Sequence, residues 1–339
     1  MKRLVFVKLN VGVFVSNRLE VSTALTAFND SIDIFRTDLI TPYGCGNKHY
    51  KLTDNLLTRR RQGCQRLLSF GGAWSNHLHA FAVACNDLGM TAVAAVRGEE
   101  RVTNALLADA MEHGLEVHYL SRSDYSLRGE EKFAHDLCHA FACDDWLPEG
   151  GSNQLAVQGC EELAQQINEH LSVPPAHIVL AVGTGATLAG IVRGCRSSQN
   201  VIGIPVVRDD RVESQIKRWV EVGSDKCRAN WKLLDEAVTL KYGKVDDDLL
   251  RFVLHIYGQH GIVLDPVYNG KAFKALLESE LAKCSGSKIV FVHTGGVGGC
   301  LGYARELDAI CDSNLAGNYL NAATSILGSG LADLVPSVK

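Results

Sequence analysis

Residues 178–190, IVLAVGTGATLAG, contain an apolar run, a glycine-rich loop and the apolar start of a helix in immediate succession. A buried strand that passes through a tight loop into a helix is the repeating unit of α/β proteins. Similar apolar runs, each followed by a helical pattern, recur at 66–70, 91–96, 116–120, 201–207 and 288–292. The alternation predicts an α/β fold with open, twisted and mostly parallel sheets flanked by helices.

The chain of 339 residues is long enough for two domains of moderate size, each with its own apolar core. Three of the apolar runs precede the Gly150-Gly151 pair and three follow it. We therefore predict a smaller α/β domain, residues 49–150, inserted into a larger domain formed by residues 1–48 and 151–339. Ligands of such sheets bind at the carboxyl ends of the strands, so we expect the active site between the two domains.

Charge and cysteine content exclude several classes of partner. Net charge is −4, from 34 basic and 38 acidic residues, and no basic block is present, so a small metabolite fits better than nucleic acid. The eleven cysteines form no CxxC pair, which argues against a zinc site and favours reduced thiols in the cytoplasm. No stretch approaches the ~20 apolar residues of a membrane span, so we expect no membrane partner.

The loop from Gly183 to Thr187 can direct several backbone N–H groups and a helix N-terminus at a phosphate. A dinucleotide site is one alternative, but the third glycine of GxGxxG falls on Leu188, where glycine is needed for close packing of the helix. Arg208-Asp209 after the next strand keeps this alternative open, because an acid there could bind a ribose. A structural tight turn is the third interpretation.

Lys48 lies in the segment GNKHYKL (46–52), after a Gly-Asn turn signal and before an amphipathic helical run. Most lysines are solvated surface charges, so Lys48 becomes a candidate for covalent chemistry only together with other motifs. One of these is GGAWSNH (71–77), whose Ser75 and Asn76 fall at a predicted helix start, where N-capping alone could explain them.

His77 and His79 are two residues apart and point to different helix faces, so we expect no metal site there. The segment LDPVYNGK (264–271) contributes Tyr268, and Tyr242 lies 26 residues upstream, from 268 − 242. Either tyrosine could be a core residue with a satisfied hydroxyl. Near a cofactor the same hydroxyls could act as acid, base or carboxylate anchor.

An ordered set of six motifs spans most of the chain: GNKHYKL, GGAWSNH, LPEGGSN, GTGAT, LDPVYNGK and HTGG. The set resembles the pyridoxal-phosphate lyases of the tryptophan-synthase-β (type II) fold, in the branch of D-cysteine desulfhydrase and 1-aminocyclopropane-1-carboxylate deaminase. The resemblance runs from about residue 35 to residue 296. It implies pyridoxal 5'-phosphate as the cofactor, a small amino acid as the substrate and a homodimer.

The resemblance also implies roles for individual residues. Lys48 would carry the cofactor as a Schiff base and move the substrate α-proton, Asn76 would bind the ring hydroxyl, and Ser75 would bind the substrate carboxylate. Tyr242 and Tyr268 match the two active-site tyrosines of the branch. The implied cofactor contacts are Lys48, Lys51, Asn76, Gly183, Thr184, Gly185, Ala186, Thr187, Asn269 and Thr294, and the substrate contacts are Trp74, Ser75, Asn76 and His77.

Two positions bear on the reaction. The deaminases that open a cyclopropane ring carry Glu and Leu where this chain has Asn269 and Thr294. A carboxylate beside the pyridine nitrogen keeps it protonated and deepens the electron sink, so its replacement favours elimination of sulfide from D-cysteine, giving pyruvate and ammonia. Deamination of 1-aminocyclopropane-1-carboxylate to 2-oxobutanoate is the alternative.

Two further alternatives come from other functional classes. A nicotinamide-dependent dehydrogenase rests on the loop at 183–187 and on Arg208-Asp209, and it leaves GNKHYKL and HTGG unexplained. A non-catalytic amino-acid-binding protein rests on Trp74 and His79, which replace residues usual in the family.

Overall fold

The computed structural model describes residues 25–28, 32–98, 104–171, 174–206, 209–222, 229–234, 243–283, 288–311 and 313–328. The strands are β1 (Leu25–Ala27), β2 (Ile32–Arg36), β3 (Arg66–Gly72), β4 (Thr91–Arg97), β5 (Glu116–Leu120), β6 (Asp145–Trp146), β7 (His177–Val182), β8 (Asn200–Pro205), β9 (Asn230–Leu233) and β10 (Ile289–His293).

The helices are α1 (Thr37–Ile40), α2 (Asn47–Arg61), α3 (Asn76–Asp87), α4 (Ala105–Glu112), α5 (Arg122–Ser126), α6 (Glu131–Ala140), α7 (Gln154–His170), α8 (Ala186–Gly194), α9 (Arg211–Glu221), α10 (Asp247–His260), α11 (Asn269–Glu278), α12 (Glu280–Lys283), α13 (Ala304–Ile310) and α14 (Ser313–Leu327). Short 3₁₀ turns occupy Pro42–Gly44, Glu149–Gly151 and Val297–Tyr303.

The strands form two separate sheets. One has six strands in the order β1-β2-β10-β7-β8-β9, and only β1 runs antiparallel to its neighbour. The other has four parallel strands in the order β5-β4-β3-β6. The central strands β7 and β10 read HIVLAV and IVFVH, a nearly continuous apolar run, because parallel strands in such folds are covered on both faces.

Helices cover both faces of each sheet. In the six-stranded sheet, one face packs on α10, α11 and α14 and the other on α7, α8 and α9. In the four-stranded sheet, α2, α3 and α4 cover one face, while α5 and α6 cover the other. The predicted α/β class with mostly parallel sheets is therefore confirmed. The boundaries of the two domains remain a prediction.

All six predicted apolar runs lie on strands, and the helix expected at 304–310 is α13. The carboxyl ends of β3, β7 and β10 lead directly into three of the glycine-rich motifs. Within the described ranges, no helix combines the length and apolar character that crossing a bilayer requires. The nine cysteines in these ranges are free thiols, and seven of them are buried.

Candidate active site

The start of α2 is fixed against the HTGG motif. Gly46 has φ +56°, and a Cβ there would lie 2.2 Å from the carbonyl oxygen of Thr294, so only glycine fits this position. The backbone N–H of Asn47 donates to the same carbonyl at 3.0 Å. Because Lys48 is the next residue, this contact determines where its side chain begins.

Glycines bring the other motifs together in the same way. A Cβ on Gly296 would lie 2.9 Å from Asn76 Nδ2, which joins HTGG to the start of α3. The ring of Tyr268 packs on Gly183, where a Cβ would lie 3.3 Å from Cε1. The GGSN segment meets both sides, because Gly150 packs on Thr184 and Gly151 packs on His77. The six sequence motifs thus converge in one region.

Lys48 is the second residue of α2 and is partly buried. Its Nζ donates to Asn47 Oδ1 at 2.8 Å, and Asn47 in turn donates from Nδ2 to Thr187 Oγ1 at 2.9 Å. Burial lowers the pKa of Lys48 to about 8, because removal from water penalises the charged amine. A substantial fraction of the amine is therefore neutral near neutral pH, as a nucleophile or base requires.

Lys51 lies one turn further along α2 and is almost completely buried. Its Nζ lies 2.7 Å from Ser152 Oγ and 3.4 Å from Thr184 Oγ1, and these two hydroxyls are 2.5 Å apart. Burial, followed by the positive charge of Lys48, lowers the pKa of Lys51 to about 7. A bound anion would reverse this shift by pairing with the ammonium group.

The phosphate loop ends at Gly185, which is the N-cap of α8 and has φ +89°. A Cβ there would lie 2.6 Å from Ile216 Cγ1, so the loop is closely packed from behind. The N-terminus of α8, the hydroxyl of Thr184 and the Lys51 amine are the donors that a phosphate group needs. These residues, with Lys48, suit a phosphorylated aldehyde cofactor.

The start of α3 presents polar groups. Ser75 is the N-cap, and its Oγ accepts from the Leu78 N–H at 3.2 Å. Asn76, the first helical residue, has its side chain against Gly296. Trp74 is 40% exposed, and a Cβ on Gly302 would lie 3.2 Å from its ring. The helix start can therefore receive a carboxylate through N–H groups and a hydroxyl.

His77 is buried and held in one tautomer. The single Ser69 hydroxyl proton is donated to the Leu147 carbonyl at 3.1 Å, so His77 Nε2, 2.7 Å from Ser69 Oγ, must carry the hydrogen. His77 Nδ1 is then a buried acceptor that has no hydrogen-bond partner within the described part of the chain. Burial, then Lys51 and Lys48, lowers the pKa of His77 well below its ordinary value.

Asn269 has every polar atom of its side chain engaged with protein. Its Nδ2 donates to Asp265 Oδ1 at 2.8 Å and to the Gly295 carbonyl at 2.9 Å. Its Oδ1 accepts from the Thr294 backbone N–H at 3.0 Å and from the Thr294 hydroxyl at 3.1 Å. Thr294, rather than Asn269, therefore retains hydrogen-bonding capacity.

Some predicted residues lie elsewhere. Tyr242 and Arg208 fall outside the described residues. Asp209 pairs with Arg211 of its own turn at 2.9 Å, and Leu188 is buried in the apolar core. His79 bonds Asp109 at 2.6 Å, away from the partner of His77. Neither the ribose contact nor the third glycine of a dinucleotide site is present at these positions.

Three residues of the site received no role from the sequence: Asn47, Ser152 and Asp265. Each lies inside a motif that was recognised, in GNKHYKL, LPEGGSN and LDPVYNGK. The spacing of these motifs carries no signal for their roles, which depend on partners more than 100 residues away for Asn47 and Ser152. Asp265 is identified only by its contact with Asn269.

Comparison with known proteins is consistent with this geometry. A family model described as pyridoxal-phosphate dependent enzyme matches residues 35–295. This chain belongs to that family of pyridoxal-phosphate-dependent enzymes, so the predicted cofactor and the assignment as an enzyme are confirmed, and the nicotinamide interpretation is set aside.

Individual relatives narrow the class. A putative 1-aminocyclopropane-1-carboxylate deaminase of Pyrococcus furiosus is 30% identical, over 81% of this chain and 88% of the relative. A bifunctional mitochondrial D-cysteine desulfhydrase/1-aminocyclopropane-1-carboxylate deaminase of Arabidopsis thaliana is also 30% identical, over 81% of this chain and 73% of the relative. A D-cysteine desulfhydrase of Serratia proteamaculans is 27% identical, over 80% and 88%.

Among solved structures, an ACC deaminase homologue superposes with a TM-score of 0.70 at 27% identity, covering 83% of this chain and 89% of that one. A bacterial-strain threonine deaminase, from T.th., has a TM-score of 0.51 at 16% identity, covering 78% and 86%, which shows a likeness of fold alone. The predicted type II fold is confirmed by these neighbours.

Proposed function

We propose that this protein is a lyase that eliminates sulfide from D-cysteine or a closely related amino acid, releasing pyruvate, ammonia and sulfide. The observation that carries the proposal is the Lys48 amine, whose pKa burial lowers to about 8. Such an amine is a competent base near neutral pH. The relatives named as D-cysteine desulfhydrases support the same substrate class.

The need for a base favours elimination over ring opening. The α-carbon of cysteine carries a hydrogen that must leave before the β-thiolate does. The α-carbon of 1-aminocyclopropane-1-carboxylate carries no hydrogen, because two ring carbons, the amine and the carboxylate fill its four bonds. A neutral Lys48 amine is therefore used at the first chemical step of the elimination.

The bound cofactor would supply an aldehyde that joins the substrate amine and a ring that takes up the electron pair left at the α-carbon. Lys48 removes the α-proton from that carbon. Ser75 and the N-terminus of α3 bind the substrate carboxylate. Lys51, Thr184 and Ser152 hold the phosphate end, and the hydroxyl of Tyr268 or of Tyr242 protonates the departing thiolate.

Deamination of 1-aminocyclopropane-1-carboxylate is the second candidate function. It is favoured by relatives that carry this name at similar identity, including a single relative named for both activities. The two reactions release different 2-oxo acids, pyruvate and 2-oxobutanoate, so one assay separates them.

The test uses purified protein loaded with pyridoxal phosphate and offered D-cysteine, L-cysteine or 1-aminocyclopropane-1-carboxylate. We expect pyruvate and sulfide from D-cysteine with the wild-type protein. Lys48→Ala should reduce the rate by at least about 100-fold, since general base catalysis contributes at that level. Lys217→Ala, on an exposed lysine of α9, is the matched control and should retain full activity.

Two outcomes would contradict the proposal. Pyruvate release that survives Lys48→Ala at the wild-type rate removes the lysine from the reaction. Formation of 2-oxobutanoate from the cyclopropane substrate, without pyruvate from either cysteine, replaces the elimination by the second candidate.

We further propose that the enzyme is a cytoplasmic homodimer and that residues 49–150 form its smaller domain. The four-stranded sheet falls wholly within this range and the six-stranded sheet wholly outside it, which supports the division. The family resemblance supports the dimer, and the free thiols support a reducing compartment.

A further inference from the structure

The orientation of the Asn269 amide is determined by its surroundings. Two groups without a hydrogen, the Asp265 carboxylate and the Gly295 carbonyl, lie against one end of the amide, which must therefore be the NH₂ end. The backbone N–H of Thr294 lies against the other end, which must be the oxygen. A flipped amide would place like groups together at all three contacts.

This orientation fixes the hydroxyl proton of Thr294. Because Asn269 Oδ1 can only accept, the Thr294 hydroxyl donates its single hydrogen to it, and its own oxygen keeps only lone pairs. The backbone carbonyl of Thr294 is bonded to Asn47, the residue before Lys48. A ligand atom that meets the Thr294 hydroxyl must therefore bring its own hydrogen.

Behind the amide lies the fully buried carboxylate of Asp265. Its oxygens accept from four N–H groups, those of Val267, Tyr268 and Asn269 and the side-chain amide of Asn269. Burial raises the pKa of Asp265, and these bonds act in the opposite direction. Since every contact is a donor, the geometry suits the ionised form, which polarises the amide in front of it.

We propose that Asp265 and Asn269 are positioning residues that hold the Thr294 hydroxyl as a hydrogen-bond acceptor for the protonated ring nitrogen of bound pyridoxal phosphate. The inference rests on the proposed function, which places the cofactor ring beside Thr294. Although residue 269 is neutral, a carboxylate then acts on the ring through one amide and one hydroxyl.

The experiment measures the nitrogen-15 resonance of pyridoxal phosphate labelled at its ring nitrogen and bound to the full-length protein near neutral pH. We expect a pyridinium resonance in the wild type. Thr294→Val should shift it to the range of neutral pyridine, while Thr294→Ser, which keeps the hydroxyl, should leave it in place. The resonance reports ring protonation directly and needs no turnover.

Two variants test the amide itself. Asn269→Leu removes the acceptor, so the Thr294 hydroxyl can donate to the ring, and the resonance should move as it does in Thr294→Val. Asn269→Asp keeps an acceptor facing Thr294 and should retain the pyridinium resonance. The thermal midpoint of each cofactor-free variant monitors packing, and if Asn269→Leu fails to fold, the two Thr294 variants decide the outcome.

The proposal is overturned if the wild-type resonance is that of neutral pyridine, or if Thr294→Val leaves a pyridinium resonance unchanged. A purely structural role for Asn269 would lower the thermal midpoint of Asn269→Leu without moving the resonance, and this result also overturns it. Absence of pyruvate from D-cysteine would contradict the proposed function alone, because the resonance is measured without substrate.

Discussion

Lys48 and Lys51 illustrate how two identical side chains, three residues apart on α2, acquire different chemistry. Lys48 Nζ is held by the amide oxygen of Asn47, while Lys51 Nζ is held by the hydroxyls of Ser152 and Thr184. Burial lowers the pKa of both amines, to about 8 and about 7. Lys51 faces the donors of the phosphate loop, so an anion can restore its charge, whereas Lys48 remains available as a neutral amine.

This difference predicts how cofactor capture depends on pH. Attack on an aldehyde requires the free amine, and with a pKa of about 8 roughly one Lys48 amine in ten is free at pH 7. The rate at which cofactor-free protein captures pyridoxal phosphate should therefore rise with pH through about 8 and then level off. The measurement is stopped-flow absorbance of the bound cofactor.

The control for this prediction is free lysine, whose capture rate should keep rising towards its ordinary pKa near 10.4. A protein rate that follows the free amino acid up to that pH would show that burial does not tune Lys48.

At the scale of elements, the position of α2 depends on its contact with α7. Gly159 lies inside α7, and a Cβ there would be 2.0 Å from the Tyr50 carbonyl oxygen. Alanine normally stabilises a helix interior relative to glycine. Here a methyl group would push away the turn of α2 that separates Lys48 from Lys51.

We expect Gly159→Ala to destabilise the protein by about 1–3 kcal/mol, the usual cost of overpacking, and to weaken cofactor binding. The matched control is Gly317→Ala in α14, where a Cβ would meet nothing within 4 Å. It should stabilise the protein by roughly 0.5–1 kcal/mol. Urea unfolding with both variants measures the difference, and equal effects would disprove the close contact.

The sequence predicted the strands that lack charges and missed those whose charges are paired by the fold. β7, β8 and β10 are apolar throughout their buried positions and were found. β2 reads IDIFR and was missed, although all five residues are buried. Its Asp33 pairs with Lys288 and its Arg36 with Asp38, partners that the local pattern cannot indicate.

At the scale of the whole molecule, the site joins parts of both sheets. The loop after β7 supplies Thr184, the turn after β3 supplies Ser75, and Lys51 contacts Ser152 from beyond β6. A ligand held by all of these groups is bound only by the folded chain, so it stabilises the native state by mass action.

We predict that pyridoxal phosphate, at a free concentration about 100 times its Kd, stabilises the protein by about 2.7 kcal/mol. Lys51→Met should weaken cofactor binding by roughly 10-fold or more, since a hydrogen bond to a charged group contributes about 1.5–3 kcal/mol. Thermal unfolding at several cofactor concentrations checks both expectations. A midpoint of Lys51→Met that rises with cofactor as steeply as that of wild type would contradict the role of Lys51.

The order of the six motifs identified the family and the cofactor, because each motif is local in sequence. The connections between motifs could not be predicted in this way. The amide of Asn269 was expected to meet the ring, but its atoms are taken up by Asp265, Gly295 and Thr294. Which hydrogen bonds an amide makes depends on groups that only the folded chain brings within reach.

The Trp74 ring packs on Gly302, a residue beyond β10, while Trp74 itself follows β3. Trp74 thus joins the two halves of the molecule beside the proposed substrate helix, and 40% of its surface is exposed to water. Its fluorescence colour follows its wetness, and bound pyridoxal phosphate absorbs the light that indole emits. The enzyme therefore carries a native optical probe, whose emission and energy transfer report the approach of the two halves without an attached dye.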